Sequence, residues 1–384
     1  DKGEHTVKKR IQHMIVIGLA SLSLLVACGR DAQPKSTAGQ TQTTEESSSE
    51  EEESGKKNTL TEAYYPAAIK DGSYPLSNSR GTLSSRTSQA NLENMERGLY
   101  ELMKNAYPTD EYSLAEGQVL SKDKITSWLK PKSQDNPEGL NPEASAASDR
   151  DQFQPRYLNS ILEYNLMQEN GDDYDLKVIS LGLAMNAEDR FQNKDSEETI
   201  EISRDQALQE GKAMAQTIVE RIRQEGKYGQ TPIQIALFYN DKQNSLGGGA
   251  YMAEAIAEPG AGLGKWKEYN RQYVVYGVDQ APREEDNTSF SRFRGEIESF
   301  FPELSGIVGV GQYDNGKLNG IDFHINTPFD GYTENIALVQ HVIASLDAIY
   351  PKDVQMQVTV EGPSRMTANI TRLSGQGKFQ YTVY

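Results

Sequence analysis

Apolar residues along this chain recur at helical and strand spacings, in an order that repeats. Leu92, Met95, Leu99 and Leu102 fall three or four positions apart and stop before Pro108, which predicts an amphipathic helix. Residues 176–185 read as a strand. Ser203 with Gln206 makes a capping box, in which the serine hydroxyl and the glutamine amide satisfy orphan N–H groups at a helix start. Behind it Leu208, Gly211, Ala215, Ile218 and Ile222 share one helical face. Residues 233–239 form a second strand. Leu246-Gly247-Gly248-Gly249 turns the chain into a third over 250–256.

The C-terminal part replays this order. Phe290, Phe293, Ile297 and Phe300 line a helix ended by Pro302. Strands at 307–313 and 318–325 flank Asn315-Gly316, a dipeptide suited to a type I′ hairpin because both positions tolerate positive φ. A helix with Ile336, Val339, Ile343 and Leu346 on one face stops before Pro351, and strands at 355–360 and 368–373 follow. A helix between strands, with a strand pair after it, thus occurs around 175–258 and again around 305–375. The expected fold is α+β, two related units with helices packed on mainly antiparallel sheets. The globular chain divides into an N-terminal segment at 60–165, a first α+β unit at 166–275 and a second at 285–384. Residues 131–156, rich in Pro, Asn, Ser and Asp, read as a long loop.

The N-terminus follows other rules. Lys8, Lys9 and Arg10 precede an uncharged run from Met14 to Ala27, MIVIGLASLSLLVA. Fourteen residues are too few for a stable membrane-spanning helix, which needs about 20. The length and the cationic flank fit a signal peptide over residues 7–27. Leu25-Val26-Ala27-Cys28 matches a lipobox, so cleavage is expected between Ala27 and Cys28, with lipid on the Cys28 thiol. The partners that follow are a diacylglyceryl transferase, signal peptidase II and the cell membrane, with the chain held on its extracellular face. Lys2-Gly3-Glu4 can be encoded by a purine-rich ribosome-binding sequence, so translation is expected to begin at Val7, with residues 1–6 an untranslated leader. Residues 28–59, dominated by Ser, Thr, Gln and Glu, are expected to be a disordered acidic tether reaching roughly 30 Å.

Composition narrows the function. A net charge of −17 argues against nucleic-acid partners, which require clustered Lys and Arg. Cys28 is the one cysteine, which excludes an intrachain disulfide, a thiolate zinc cluster and a CxxC redox pair.

Several segments, taken together, resemble the CamS family of sex-pheromone lipoproteins from Gram-positive bacteria. They are Ser79-Arg80-Gly81, Tyr107-Pro108-Thr109-Asp110 with Tyr112, and Gly139-Leu140-Asn141-Pro142. Tyr157-Leu158-Asn159 running into Ile161-Leu162-Glu163 continues the set, followed by Gly182-Leu183-Ala184-Met185-Asn186 and Gly211-Lys212 with Met214-Ala215. The likeness runs colinearly from about residue 74 to the C-terminus. It implies that a short peptide from the end of the signal sequence is released as a mating pheromone. Here that peptide is Ser21, Leu22, Ser23, Leu24, Leu25, Val26 and Ala27, and its partner would be a receptor in another cell. The resemblance leaves the role of the mature domain open.

Catalytic patterns are weak, and no enzyme activity, cofactor or metal is expected. Asp322 and His324 share one face of a strand and could orient a general base, yet no third ligand, GxSxG elbow or cysteine nucleophile accompanies them. A solvent-facing polar strand is the better reading, and His341 should be exposed off its helix stripe. Gly260-Ala261-Gly262-Leu263-Gly264-Lys265 resembles a phosphate loop, but Pro259 replaces the first glycine and Trp266 the hydroxyl residue. Asp172-Asp173 after Gly171 reads as a turn. Tyrosines clustered in the first globular third suggest a recognition surface, with Tyr74, Arg80, Tyr107, Asp110 and Tyr112 as candidate ligand-binding residues. Two alternatives stand beside the pheromone precursor: a solute- or peptide-binding lipoprotein with an inert signal peptide, and a cell-surface hydrolase using Asp322 and His324.

Overall fold

Helix α1 (Gln89–Ala106) starts where the Ser88 side chain accepts the N–H of Asn91 and ends where Tyr107 turns extended before Pro108. Its buried stripe holds Met95, Leu99 and Leu102, three of the four predicted positions, together with Met103. The computed structural model describes residues 64–79, 81–83, 87–143, 149–242, 245–302 and 306–384, all within one compact unit of the chain. The apolar leader, the candidate heptapeptide, Cys28, the tether and Arg80 lie outside the described residues.

Two six-stranded mixed sheets organise the rest. The first contains β1 (Ser113–Glu116), β2 (Leu158–Asn170), β3 (Asp173–Met185), β6 (Ile233–Tyr239), β7 (Ala250–Ala257) and β8 (Lys267–Glu268), in the spatial order β1-β2-β3-β6-β7-β8. All neighbours are antiparallel except β3 and β6, which are parallel and joined through α3 (Arg204–Gln224). Between β3 and α3 a separate ribbon, β4 (Glu188–Gln192) with β5 (Glu197–Glu201), is inserted. The second sheet repeats the plan with β9 (Arg271–Val275), β10 (Gly306–Asp314), β11 (Lys317–Asn326), β12 (Gln355–Glu361), β13 (Met366–Arg372) and β14 (Gln380–Val383). Again one central pair, β11 with β12, is parallel, and α5 (Tyr332–Ile349) makes the crossover. Hairpin, helix, hairpin occurs twice, as the hydrophobic order predicts. Strand β9 lies inside the stretch assigned to the first unit but pairs with β10, so the second sheet begins earlier in the chain than 285.

Burial explains the difference between the units. The first sheet is covered on both faces. Met95, Leu99 and Leu102 of α1 pack with Leu166, Val178 and Phe238 on one side. On the other, Ile218 and Ile222 of α3, with Ile125 and Trp128 of α2 (Lys122–Leu129), pack with Leu181 and Leu183. The second sheet buries one face, where Phe293 and Ile297 of α4 (Glu284–Phe300) and Leu338, Val342 and Leu346 of α5 meet Ile321, Phe323 and Val358.

Local chemistry follows the sequence closely. Both bonds of the Ser203–Gln206 capping box are made. Asn315 and Gly316 take φ of 52° and 75°, and Asp314 faces Lys317 across the two-residue turn. Gly171-Asp172 forms the turn between β2 and β3, and Asp173 pairs with Lys70 at 2.9 Å. The long loop is tied down by Asn141, whose buried amide donates to the carbonyls of Leu129 and Leu158. His341 departs from expectation. It is half-buried rather than exposed, stacked on Phe300 at 4.1 Å with Nε2 3.2 Å from the Glu296 carbonyl. The close approach of α4 to α5 covers a position outside the apolar stripe.

Candidate functional site

Two concavities flank α1. The first, about 310 Å³, is bounded by Ser77, Ser79, Gly81 and Leu83, by Leu92 and Glu96 of α1, by Glu116 of β1 and by residues 161–164 of β2. Glu116 accepts the N–H of Ser77 at 2.7 Å and so ties the loop to the sheet. Glu163 is buried within β2. Its carboxylate accepts the N–H groups of Val119 (2.9 Å) and Leu120 (2.8 Å) and the amide of Asn165 (2.9 Å). Burial pushes the Glu163 carboxyl above its ordinary value, against the pull of those donors. Gly117 stands against it, because a Cβ there would lie 2.6 Å from that of Glu163. Burial, with Glu116 and Glu93 nearby, also raises the carboxyl of Glu96. The cavity is therefore acidic and partly apolar.

The second concavity, also about 310 Å³, lies between α1 and the second sheet. Arg97 of α1 sits 3.7 Å from Asp322 of β11, and the Gln312 amide donates to the same carboxylate at 3.0 Å. Glu101 and Asn105 of α1, Tyr251 of β7, and Arg271, Tyr273, Asp314 and Asn319 also line it.

Tyr107 and Tyr112 meet edge to face at 6.0 Å, and the Tyr65 hydroxyl donates to the Tyr107 carbonyl at 2.7 Å. These rings form an aromatic cluster at the C-terminal end of α1, with Tyr65 also against Tyr100 at 5.6 Å. Burial pushes the Tyr107 hydroxyl up to about 12, with Glu258 adding to it. Tyr74 is 42% exposed and lies near Tyr164 on the acidic-cavity side. Asp110 is exposed. Arg80 is outside the described residues, although Ser79 and Gly81 line the acidic cavity. Asp322 and His324 do share an open strand face, but Asp322 is engaged by Arg97 and Gln312. Among the described residues the His324 side chain makes no hydrogen bond, and no cluster of three metal-ligating side chains is present. Sequence reasoning passed over Glu96, Arg97 and Glu116. Glu163 carried a signal, a charge set directly after Ile161-Leu162 in an apolar strand, the mark of a buried, partnered carboxylate.

Comparison with known proteins places the fold. The family profile described as CamS sex pheromone cAM373 precursor matches residues 74–378. A sex pheromone precursor from Lactobacillus salivarius subsp. salivarius is 30% identical with a TM-score of 0.79, over 86% of this chain and 98% of that one. The C-terminal domain of the sex pheromone staph-cAM373 precursor from Staphylococcus aureus is 22% identical with a TM-score of 0.66, over 77% of this chain and 96% of its own, and shares the fold. No curated protein matches the chain. Such a family implies a secreted or surface protein, and no helix among the described residues is long and apolar enough to cross a membrane. The expected resemblance holds over most of the globular part: this chain belongs to the CamS sex pheromone cAM373 precursor family.

Proposed function

We propose that this protein is a lipid-anchored precursor on the outer side of the cell membrane, that the heptapeptide Ser21 to Ala27 is released from its signal sequence as a pheromone-type signal, and that the remaining domain binds a ligand without catalysing a reaction. The observation that carries this reading is one of position. The apolar run from Met14 to Ala27 ends at the single cysteine, upstream of a domain in a pheromone-precursor family. Diacylglyceryl transfer to Cys28 and cleavage by signal peptidase II would leave SLSLLVA at the C-terminal end of the excised leader. An uncharged, mostly aliphatic peptide of that size suits an apolar receptor pocket in another cell. The two concavities beside α1 support a binding role for the domain.

Mass spectrometry of culture medium tests the peptide. SLSLLVA is expected from cells expressing the wild-type chain and is expected to vanish with Cys28→Ala, which removes the residue that commits the leader to signal peptidase II. Lasting absence of the peptide from wild-type cultures would leave a binding lipoprotein with an inert leader.

A further inference from the structure

We propose that the cleft between α1 and the uncovered face of the second sheet binds a neutral glycan chain. The inference deepens the reading of the domain as a ligand-binding module and is independent of peptide release.

The cleft carries planar polar groups whose charges are already balanced. Arg97 faces Asp322, Gln312 donates to that carboxylate, Arg271 pairs with Asp314 at 3.4 Å, and Glu101 on the α1 wall pairs with Lys104 at 3.6 Å. A formally neutral wall of amide, guanidinium and carboxylate planes suits hydroxyl groups, which both donate and accept. It gives no unpaired charge to an ionic ligand, whose burial would be costly. A β-bulge supplies a further contact. Gln312 pairs with Gly320 and Tyr313 with Leu318, so Asn319 is an extra residue on β11, and it lines the cleft. Asn319 is exposed, and among the described residues its side chain makes no hydrogen bond. The half-buried ring of Tyr273, opposite Gln312, offers an apolar surface for a sugar face.

The surface beyond the cleft extends the same chemistry. In register from Asp322, the open face continues through Gln357 and Thr371 to Gln380. The row beside it runs from His324 through the buried Thr359 to Asn369 and Thr382. Apart from Asp322, balanced by Arg97, neither row holds a carboxylate, Lys or Arg. At about 4.8 Å per strand the row from β10 to β14 spans roughly 20 Å, room for a linear chain rather than a single sugar. A peptide fits less well, because an extended backbone seeks ladder partners. The backbone groups of β10, β11 and β12 are already taken by neighbours on both sides.

The test is titration of the full chain with two neutral glycans, N-acetylchitohexaose and maltohexaose, and with an uncharged hexapeptide, followed by calorimetry and amide chemical shifts. At least one glycan should bind, with shifts concentrated in α1 and β9–β11. The double variant Gln312→Ala, Asn319→Ala should weaken it at least tenfold, while Lys227→Ala leaves it unchanged. Both sites in the double variant lie off the core, and an unchanged urea midpoint confirms that it folds. Glycan binding unmoved by the double variant overturns the placement. Binding of the hexapeptide alone, lost in the double variant, overturns the glycan class but keeps the domain as a binding module. Failure of all three probes removes both.

Discussion

The buried carboxylate of Glu163 holds the backbone N–H of Leu120 at 2.8 Å, and through it the loop that leads from β1 into α2. Truncation at Glu163 leaves that N–H, the N–H of Val119 and the amide of Asn165 without their shared acceptor. An unsatisfied buried donor costs about 1–3 kcal/mol, so Glu163→Ala should lower unfolding free energy by roughly 2–4 kcal/mol. Glu163→Gln preserves shape but turns an NH2 group toward a donor, and about half that loss is expected. Urea unfolding with both variants checks the order; equal stability of wild type and Glu163→Ala would show that the clamp contributes nothing.

Asp189 anchors the β4–β5 ribbon. Burial alone would raise its carboxyl, but the Arg156 side chain at 2.7 Å, the Arg156 N–H at 2.8 Å and the Arg190 N–H outweigh it and hold the group below its ordinary value of 3.8. A carboxyl depressed on folding contributes stability that is fully present above its unfolded value and is lost as pH falls through its folded value. Arg156 is 59% exposed, so solvent screens the pair and the contribution is about 1 kcal/mol. Asp189→Asn should therefore be less stable than wild type at pH 7. The gap should close as pH falls below about 4, read from urea midpoints across that range. A gap that stays constant with pH would show that the charge of Asp189 is not its source.

The glycine run before β7 was legible as a turn, and its physical cause is now specific. Gly248 has φ of +70°, and a Cβ there would lie 2.7 Å from the backbone of Ala90 at the start of α1. Two buried side chains of α1 complete the lock. Asn91 accepts the Gly249 N–H at 2.7 Å, and Asn94 donates to the carbonyls of Gly247 and Gly249. Gly248→Ala should cost about 2–4 kcal/mol through left-handed strain and the clash with α1, whereas Gly226→Ala, at φ +78° in open space, should show the strain alone at about 1–2 kcal/mol. Thermal melts of the two variants separate the terms. Equal losses would mean that the contact with Ala90 relaxes freely.

What the sequence made legible depended on how each element meets water. Strands β6, β10 and β11 kept their apolar residues in short runs or strict alternation between clear turns, and their limits were read to within about a residue. Strand β2 escaped because it is buried on both faces, with Ser160, Glu163 and Asn165 set among Ile161, Leu162 and Leu166. Mixing partnered polar groups into a two-sided strand erases the period of two on which such reading relies. The cleft beside α1 was hidden for a different reason. Arg97 and Asp322 are 225 positions apart, and neither shows in a local pattern what the other contributes. Asp322 was noticed only through His324, whose neighbourhood on the strand is shared while its bonds are not.

Membrane attachment is the prediction on which the cellular role turns. If Cys28 carries the acyl chains, radiolabelled palmitate should enter the wild-type chain and the protein should sediment with membranes. Durable anchoring takes two or more chains at about 0.8 kcal/mol per buried methylene, so loss of the thiol removes the whole of it. Cys28→Ala should take up no label. It should appear either in the medium or as an uncleaved form of higher mass, because the remaining apolar run of 14 residues is too short to hold the chain by spanning the bilayer stably. Fractionation with an immunoblot reads both outcomes. A Cys28→Ala chain that is processed to wild-type size and still sediments fully with membranes would place the anchor elsewhere in the protein.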